Sequence, residues 1–375
     1  MKVLKVTKLK GLLVAGLFVM LGFGAVLAVR AANSIVVAEA ESGTLAGRAA
    51  LNTAVTGASG DTVSFGAPHN SVAFGDSVAS GDGIEYGWQW TPDGAGDGDW
   101  LQTGPDAPLW EPTTDTRPEI QSCRQSKKGY PYLVAAATGD KLYNPSCSGS
   151  SVLNGVLGTR NFSASVIGAP QLGSTKPGYG PANATYDAFK PDVISITLGM
   201  DDIGFSDVLQ QCYVGTSCVT PTIDQQLNQR LTKFKSDLQL GLTEIKDRGT
   251  TAGKVPWVVL TTYYDPFNPD SAKSCNDVYL GLGQGLSATE IDWMRSKMQL
   301  MNQYIKEAAT SYPKAKIADI SATLAGHTFC TTDPWVYGIS IWFNDFGNPA
   351  PFHPTPKGQE AIAAVVAQAI KNITY

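Results

Sequence analysis

The feature that most restricts the fold of this chain is a set of short apolar runs separated by amphipathic segments. Within each run the apolar residues are continuous rather than alternating, as in strands that are buried on both faces of a sheet. We therefore predict five buried strands. They are NSVAF (70–74), YLVAAAT (132–138), DVISITLG (192–199), VPWVVLTTY (255–263) and AKIADI (315–320).

Segments with helical periodicity lie between or after these runs. Residues 223–249 carry apolar residues three and four apart, and residues 287–312 begin with Ser287 and Glu290 at capping-box spacing. A last helix is predicted from about residue 356 to residue 373. Strands that alternate with helices favour a parallel sheet covered on both faces. The fold class predicted is α/β, a three-layer α/β/α sandwich of flavodoxin-like type.

The N-terminus is typical of an exported protein. Four lysines precede an uncharged apolar run at 11–29, which predicts either a signal peptide or an uncleaved membrane anchor within residues 1–32. Small-residue sites follow the run and favour cleavage. The protein is thus expected to be secreted, or anchored outside the cytoplasmic membrane. Residues 33–68 are interpreted as a linker with at most a short hairpin, and residues 69–375 as the main domain.

Composition and cysteine use fit export. None of the six cysteines forms a CxxC pair, and an even number of cysteines in an exported chain favours three disulfides, whose pairing the spacing leaves open. The three histidines are too few for a convincing zinc cluster, so no metal is expected. A net charge of −5 without a basic patch argues against a nucleic-acid partner.

An unusual segment, residues 84–120, is interpreted as an insertion. It is acidic, and glycine and proline punctuate it throughout. Two roles remain open for its four tryptophans: a platform for sugar rings or acyl chains, or anchors that pin an irregular loop to the domain. The second role is slightly favoured, because large aromatic residues commonly anchor such segments. The tryptophans are Trp88, Trp90, Trp100 and Trp110.

Ser77 follows the first predicted strand by two residues, in the sequence AFGDS. Ligands of open parallel sheets bind at the loops beyond the carboxyl ends of the strands, so this serine belongs on the binding rim. A serine needs a base to become a nucleophile. His353, in the proline-broken PAPFHPTPKGQEA, is the strongest candidate, whereas His69 and His327 are interpreted as surface or packing residues.

Four blocks carry a family resemblance. GDS (75–77), SCSGSSV (146–152), TLGMDDIGF (197–205) and HPT followed by glycine resemble the blocks of the SGNH (GDSL) hydrolases in their order. SCRQSKKGYPYLVA and DPWVYG resemble segments of the secreted actinobacterial lipases and esterases of that family. The resemblance implies an ester hydrolase without a metal or cofactor. It implies that Ser77 is the nucleophile, that His353 is the base, and that the amides of Ser77 and Gly149 bind the oxyanion.

The resemblance also implies the disulfides and the class of substrate. The related enzymes join consecutive cysteines, which gives Cys123–Cys147, Cys212–Cys218 and Cys275–Cys330 here. An ester, a lipid or an acetylated carbohydrate is the expected substrate. Attachment to a membrane through residues 11–29 and a monomeric state are further expectations.

Two departures from the family pattern concern catalysis. Asp201 stands where the family has an oxyanion-binding asparagine, and an ionised aspartate has only acceptors. A protonated Asp201, two backbone donors alone, or a weak or non-catalytic protein are the alternatives. Ala350 stands where many members have the aspartate that orients the histidine. The related lipases and esterases often use a backbone carbonyl instead, so the resemblance implies that the carbonyl of Ala350 orients His353 in a Ser–His dyad. Asp345 is a nearby candidate, but its spacing does not match the motif.

Three functions follow from this sequence. The leading hypothesis is a secreted serine esterase or lipase that acts through an acyl-enzyme. The second is a carbohydrate acetylesterase, and the third is a non-catalytic binding protein with an impaired oxyanion hole. Asp76 and Asp202 are expected to brace their loops rather than to react.

Overall fold

A computed structural model describes the chain from residue 36 onward, with gaps. The described residues are 36–39, 49–52, 62–65, 68–84, 88–92, 98–102, 123–162, 165–173, 189–214, 217–267, 286–329, 331–337 and 351–375. The chain divides into two compact units, Met1–Ala67 and Pro68–Tyr375.

The first unit contains a small antiparallel sheet, where the sequence predicted a linker with at most a short hairpin. Its strands are β1 (Val36–Glu39), β2 (Ala49–Asn52) and β3 (Thr62–Phe65), in the order β1-β3-β2.

The second unit is built on a five-stranded sheet in which all the paired strands are parallel. The strand order is β12-β11-β10-β4-β7. Two hairpins, β5-β6 and β8-β9, accompany this sheet. The strands are β4 (Asn70–Gly75), β5 (Trp88–Pro92), β6 (Gly98–Gln102), β7 (Lys141–Tyr143), β8 (Arg160–Phe162), β9 (Ser165–Gly168), β10 (Val193–Thr197), β11 (Trp257–Thr261) and β12 (Ala315–Ala318).

Helices pack in pairs and cover the sheet. Helix α2 packs against α7, and α5 packs against α6, which gives the three-layer α/β/α sandwich that the sequence predicted. The helices in the described residues are α1 (Ser77–Ser80), α2 (Tyr130–Thr138), α3 (Met200–Ile203), α4 (Phe205–Val214), α5 (Pro221–Thr251), α6 (Ala288–Ala309) and α7 (Pro356–Lys371). The capping box of Ser287 and Glu290 is present at the start of α6.

One predicted strand is wrong. YLVAAAT is not a strand but most of helix α2. Pro131 lies in the first turn, where its missing N–H costs nothing, and Gly139 ends the helix with a φ of 73°. The buried residues Tyr130, Val134 and Thr138 recur every fourth position and form one face. The fifth strand of the sheet is β7, which was not predicted from the sequence.

Two disulfides join consecutive cysteines, Cys123–Cys147 and Cys212–Cys218. Cys275 and Cys330 lie outside the described residues, so their pairing stays a prediction. None of the helices in the described part of the chain is both long and apolar enough to span a membrane. The apolar run at 11–29 lies outside that part.

The chain reverses its direction of travel across the sheet at β4. It moves from β4 outward to β7 on one side, and then returns to β10 on the other side of β4. Such a switch point leaves a crevice beyond the carboxyl end of the strand, where ligands of open α/β sheets bind. Ser77 begins α1 immediately beyond this end of β4.

Candidate active site

The turn that carries Ser77 is tightly held. The Asp76 N–H donates to the Thr197 carbonyl (3.1 Å), and the buried Asp76 carboxylate caps α1 by accepting from the Val78 N–H (3.0 Å). Ser77 is the first residue of α1, so its own N–H has no acceptor within the helix. The amide of a partly exposed serine is therefore available beside its own hydroxyl.

Gly75 is required by close packing, and a distant glutamine braces it. A Cβ at position 75 would lie 2.5 Å from the Ala79 Cβ and 2.7 Å from the Thr197 carbonyl oxygen. The Gln171 amide accepts from the Gly75 N–H and donates to its carbonyl, both at 2.8 Å. No local sequence pattern connects Gln171 to Gly75, so this contact is not predictable from the sequence.

The segment that carries Gly149 lies beside the Ser77 turn. The Cys147 N–H donates to the Gly75 carbonyl, and the Ser148 N–H donates to the Cys123 carbonyl, both at 3.0 Å. Gly149 has a φ of 75°, which favours glycine. Its N–H makes no hydrogen bond to a described residue. Gly149 is thus next to the turn with a free amide, although it is not one of the described residues that line the cavity.

His353 lies in the loop that leads into α7, and a backbone carbonyl fixes its ring. Its Nδ1 is 3.1 Å from the carbonyl oxygen of Pro351. Because a carbonyl only accepts, Nδ1 carries the proton and Nε2 has a free lone pair. Nε2 is buried and has no hydrogen-bond partner among the described residues. The carbonyl found at Nδ1 thus belongs to Pro351, whereas the predicted Ala350 lies outside the described residues.

The backbone before His353 adopts an unusual conformation. Phe352 has a φ of 63°, in the left-handed region that a phenylalanine seldom adopts. Its N–H donates to the Tyr337 carbonyl (2.9 Å), and its carbonyl accepts from the Tyr264 hydroxyl (2.8 Å). The Tyr337 N–H in turn donates to the His353 carbonyl (2.8 Å). These bonds hold the histidine loop from both sides.

Ser77 and His353 line the same cavity, although they come from opposite ends of the second unit. The cavity has a volume of about 390 Å³. Its other described lining residues are mostly apolar or aromatic: Val78, Met200, Asp201, Phe205, Ser206, Leu209, Gln210, Tyr263, Tyr264, Pro266, Pro351 and Phe352. The side chains of Ser77 and His353 form no hydrogen bond with each other in the described part of the chain.

Comparison with known proteins assigns the chain. The sequence model of the GDSL-like Lipase/Acylhydrolase family matches residues 73–361, a range that includes both Ser77 and His353. The chain belongs to this family.

Individual proteins also resemble this GDSL-like hydrolase. A lipase from Streptomyces rimosus is 24% identical over 241 residues, which are 64% of this chain and 74% of that protein. The crystal structure of the extracellular lipase of that organism gives a TM-score of 0.49 with 20% identity, over 80% of this chain and 99% of that one. A family two carbohydrate esterase with a carbohydrate-binding domain, from Corynascus thermopiles, gives a TM-score of 0.42 with 16% identity, over 83% and 69%.

In this GDSL-like hydrolase the charges of Asp201 and Asp202 act on the carboxyl group of Asp76, the chain neighbour of Ser77. Burial and the nearby Asp201 raise the pKa of Asp76 well above its ordinary value, although its carboxylate accepts a hydrogen bond from Tyr263. Burial raises the pKa of Asp202 to about 8, against a hydrogen bond from the Val152 N–H (3.0 Å). Burial also raises the pKa of Asp201 to about 6, and Arg160 opposes this shift.

Asp201 differs from the other two carboxyl groups in what it contacts. It lines the cavity with Ser77, and its side chain makes no hydrogen bond or ion pair with a described residue. Asp76 and Asp202 each accept a backbone N–H, from Val78 and Val152. Hydrogen bonds from backbone N–H groups are what a carboxyl group that braces a loop is expected to form.

The other two histidines lie elsewhere. The His69 ring contacts Tyr375, and its carbonyl accepts from the Lys141 N–H. His327 stacks on Trp335 with ring centroids 3.8 Å apart. Neither is among the described residues that line the cavity.

One group of potential metal ligands occurs among the described residues: Cys212, Cys218 and Glu290. The two cysteines form a disulfide, and only free thiolates are metal ligands. This group is therefore not a candidate metal site.

Proposed function

We propose that this protein is a serine hydrolase that cleaves carboxylic esters with an apolar acyl group. The observation that carries the proposal is that Ser77 and His353 line one apolar cavity, with the Pro351 carbonyl oxygen 3.1 Å from Nδ1 of the histidine. Membership of the GDSL-like family supports the same chemistry. We also propose that residues 69–375 form the hydrolase domain.

The proposed reaction proceeds through an acyl-enzyme. His353 Nε2 takes the proton of the Ser77 hydroxyl, whose oxygen attacks the ester carbonyl carbon. The amides of Ser77 and Gly149 donate to the oxyanion that develops. The protonated His353 then gives its proton to the departing alcohol, and a water molecule hydrolyses the acyl-enzyme by the reverse exchange of protons.

The Pro351 carbonyl replaces an aspartate in this scheme, which makes the pair a Ser–His dyad. Its hydrogen bond fixes the tautomer that leaves Nε2 free. A neutral carbonyl stabilises the imidazolium that forms during the reaction less than a carboxylate does. The dyad therefore depends strongly on correct orientation of the ring.

The lining of the cavity favours an apolar acyl chain over an acetyl group. Phe205, Leu209 and Phe352 offer hydrocarbon surface that a two-carbon acyl group cannot cover. A volume of about 390 Å³ lies within the range of small-molecule sites, ~300–1,000 Å³. A carbohydrate acetylesterase remains the second candidate, on the ground of the tryptophan-rich segment.

Export of the enzyme is part of the proposal. The two disulfides in the described residues are typical of proteins in an oxidising compartment, which supports export. We propose that residues 1–32 direct the export, with cleavage favoured over retention as an anchor.

A chain-length series tests this function. Hydrolysis of p-nitrophenyl esters from acetate to palmitate should be fastest at an intermediate length. Ser77→Ala should lower kcat by about 10⁴-fold or more, with the melting temperature unchanged. A fluorophosphonate should label Ser77 in the wild type and nothing in the variant.

Two results would decide against the proposal. Faster release of acetate from acetylated polysaccharide than hydrolysis of medium-chain esters would favour the acetylesterase. Absence of labelling between pH 5 and pH 9, in folded protein, would favour a non-catalytic binding protein.

A further inference from the structure

Arg160 lies against the peptide group that precedes Gly149. Its Nε donates to the Ser148 carbonyl (3.2 Å), and another nitrogen of the guanidinium donates to the Asn161 carbonyl. A Cβ at position 149 would lie 2.8 Å from the Arg160 Cζ. The guanidinium thus occupies the space that the missing side chain of Gly149 leaves.

The bond to Ser148 acts directly on the proposed oxyanion donor. The Ser148 carbonyl and the Gly149 N–H are the two ends of one peptide group. A cation that binds the carbonyl oxygen draws electron density from the amide nitrogen, and hydrogen bonds strengthen one another along such a chain. The Gly149 N–H, which makes no hydrogen bond to a described residue, becomes a stronger donor.

Arg160 also acts on Asp201. Asp201 lines the cavity with Ser77, and its charge would repel an oxyanion. Among the charges that act on Asp201, Arg160 is attractive, whereas Asp82 and Asp207 are repulsive. The two groups form no direct ion pair within the described residues, so this compensation acts over a distance. The proposed site thus contains both an unexpected anion and a cation that offsets it.

We propose that Arg160 is a positioning residue of the oxyanion site, which strengthens the Gly149 amide as a donor and compensates the negative charge of Asp201. This inference rests on the proposed function. It also explains why an aspartate is tolerated at position 201, where the family has an asparagine: Arg160 offsets its charge.

The chain offers a matched control in Arg230. Arg230 donates to the Ile203 carbonyl (3.2 Å), and it lies against Gly204, whose φ is 65°. The same arrangement of a guanidinium, a left-handed glycine and the preceding carbonyl therefore occurs twice. The Gly204 N–H, however, donates to the Asp201 carbonyl at the end of α3, so it is not an oxyanion donor.

The experiment is a double-mutant cycle in the full chain, with kcat and KM measured on a medium-chain p-nitrophenyl ester. At pH 8, Arg160→Gln should lower kcat about 100-fold and leave KM unchanged. Arg230→Gln should stay within about threefold of the wild type. In the Asp201→Asn background, Arg160→Gln should cost only about tenfold, because no charge remains to be compensated.

The pH dependence separates this role from a purely structural one. The cost of Arg160→Gln should grow from pH 5 to pH 8, as Asp201 ionises, and stay constant in the Asp201→Asn background. The charged and titratable groups that act on Asp201 or its neighbours stay in place in both backgrounds. They are Asp76, Asp82, Asp202, Asp207, Arg124, Tyr263 and His353.

Each other result overturns a stated part of the inference. A cost of Arg160→Gln no larger than that of Arg230→Gln overturns the inference as a whole. Equal costs in the two backgrounds overturn the compensation of Asp201. If Arg160→Gln does not fold, Arg160→Lys replaces it, and full activity of that variant overturns the role of the guanidinium. In each of these cases the proposed function still holds if the wild type is active and Ser77→Ala abolishes that activity. An inactive wild type overturns both the proposed function and this inference.

Discussion

The carboxyl groups of Asp76, Asp201 and Asp202 act on one another electrostatically, and burial raises the pKa of each. Burial and the nearby Asp201 raise the pKa of Asp76, and burial raises the pKa of Asp202 to about 8, so Asp202 is mostly protonated at pH 7. Asp201, with a pKa of about 6, is mostly ionised at that pH. Arg160 acts against this rise in the pKa of Asp201, whereas Asp82 and Asp207 add to it.

Asp202→Asn should stabilise the protein at high pH. The pKa of Asp202 is raised from 3.8 to about 8, so the folded state keeps a proton that the unfolded state releases. Stability therefore falls as the pH rises from about 4 to about 8. Asparagine removes this cost and still accepts from the Val152 N–H. We expect the free energy of unfolding to rise by roughly 1–3 kcal/mol at pH 8, with little change at pH 4.

Asp192→Asn is the control with the opposite sign. Burial opposes ionisation of Asp192, but Lys254 and the Asn70 N–H outweigh burial and lower its pKa. The ionised form therefore stabilises the fold at neutral pH, and the variant should be less stable there, with the difference vanishing in acid. Thermal melts check both variants, down to about pH 2 for Asp192→Asn, whose effect is lost only below its unfolded pKa, and from pH 4 to pH 8 for Asp202→Asn. An equal effect of Asp202→Asn at the two ends of that range would contradict the argument.

The loop before α7 is the element that places the base. Phe352 adopts a left-handed φ, and the loop keeps it there with three backbone-directed hydrogen bonds and the rings of Phe267 and Phe329. Strained residues of this kind persist only where their surroundings over-determine them. The orientation of His353 therefore depends on residues that do not react.

Tyr264→Phe should lower activity more than it lowers stability. The variant removes the hydroxyl that donates to the Phe352 carbonyl but keeps the ring that lines the cavity. We expect kcat to fall about tenfold and the free energy of unfolding to fall by about 1–2 kcal/mol. Tyr312→Phe removes a similar buried hydrogen bond, which the Tyr312 hydroxyl donates to the Pro256 carbonyl. Neither residue is among the described residues that line the cavity. Tyr312→Phe should lower the free energy of unfolding by a similar amount and leave kcat unchanged. Equal kcat values for the two variants would refute the role of Tyr264 in positioning His353.

Removal of the two disulfides should have different effects on the free energy of unfolding and on kcat. Cys123–Cys147 closes a loop of 24 residues and Cys212–Cys218 one of 6, so removing the first should cost roughly 3 kcal/mol and the second roughly 2 kcal/mol. The Ser148 N–H bonds to the Cys123 carbonyl, so the first disulfide also supports the segment of Gly149. Paired Cys→Ala variants, compared by denaturant unfolding and by kcat, check this. A lower kcat only in the variant that lacks Cys212 and Cys218 would contradict this prediction.

At the scale of the whole molecule, the sequence predicts what local patterns encode. Four of the five predicted strands are confirmed, because β-branched runs bounded by proline or glycine have few alternatives. YLVAAAT fails since an apolar run rich in alanine fits a buried helix equally well, and β7 is too short for a periodic signal. Gln171, Tyr264 and Arg160 escape prediction for another reason: their roles arise from contacts between residues far apart in the chain.

The division of the chain after Ala67 leads to the last prediction. The proposed site residues all follow this point, and so do the five strands of the parallel sheet. A chain that begins at Pro68 keeps His69, whose carbonyl accepts from the Lys141 N–H at the start of β7. We expect this shortened chain to fold, to be labelled by a fluorophosphonate at Ser77, and to keep kcat/KM within about threefold of the full chain.

A chain that begins at Asp76 is the control for this truncation. It keeps Ser77 but lacks β4, which pairs with β10 on one side and with β7 on the other. Loss of a central strand leaves the backbone groups of both neighbours without partners inside the domain, so this chain should not fold. Circular dichroism and labelling distinguish the two chains. An inactive or unfolded product from the cut before Pro68 would show that the hydrolase domain needs residues of the first unit.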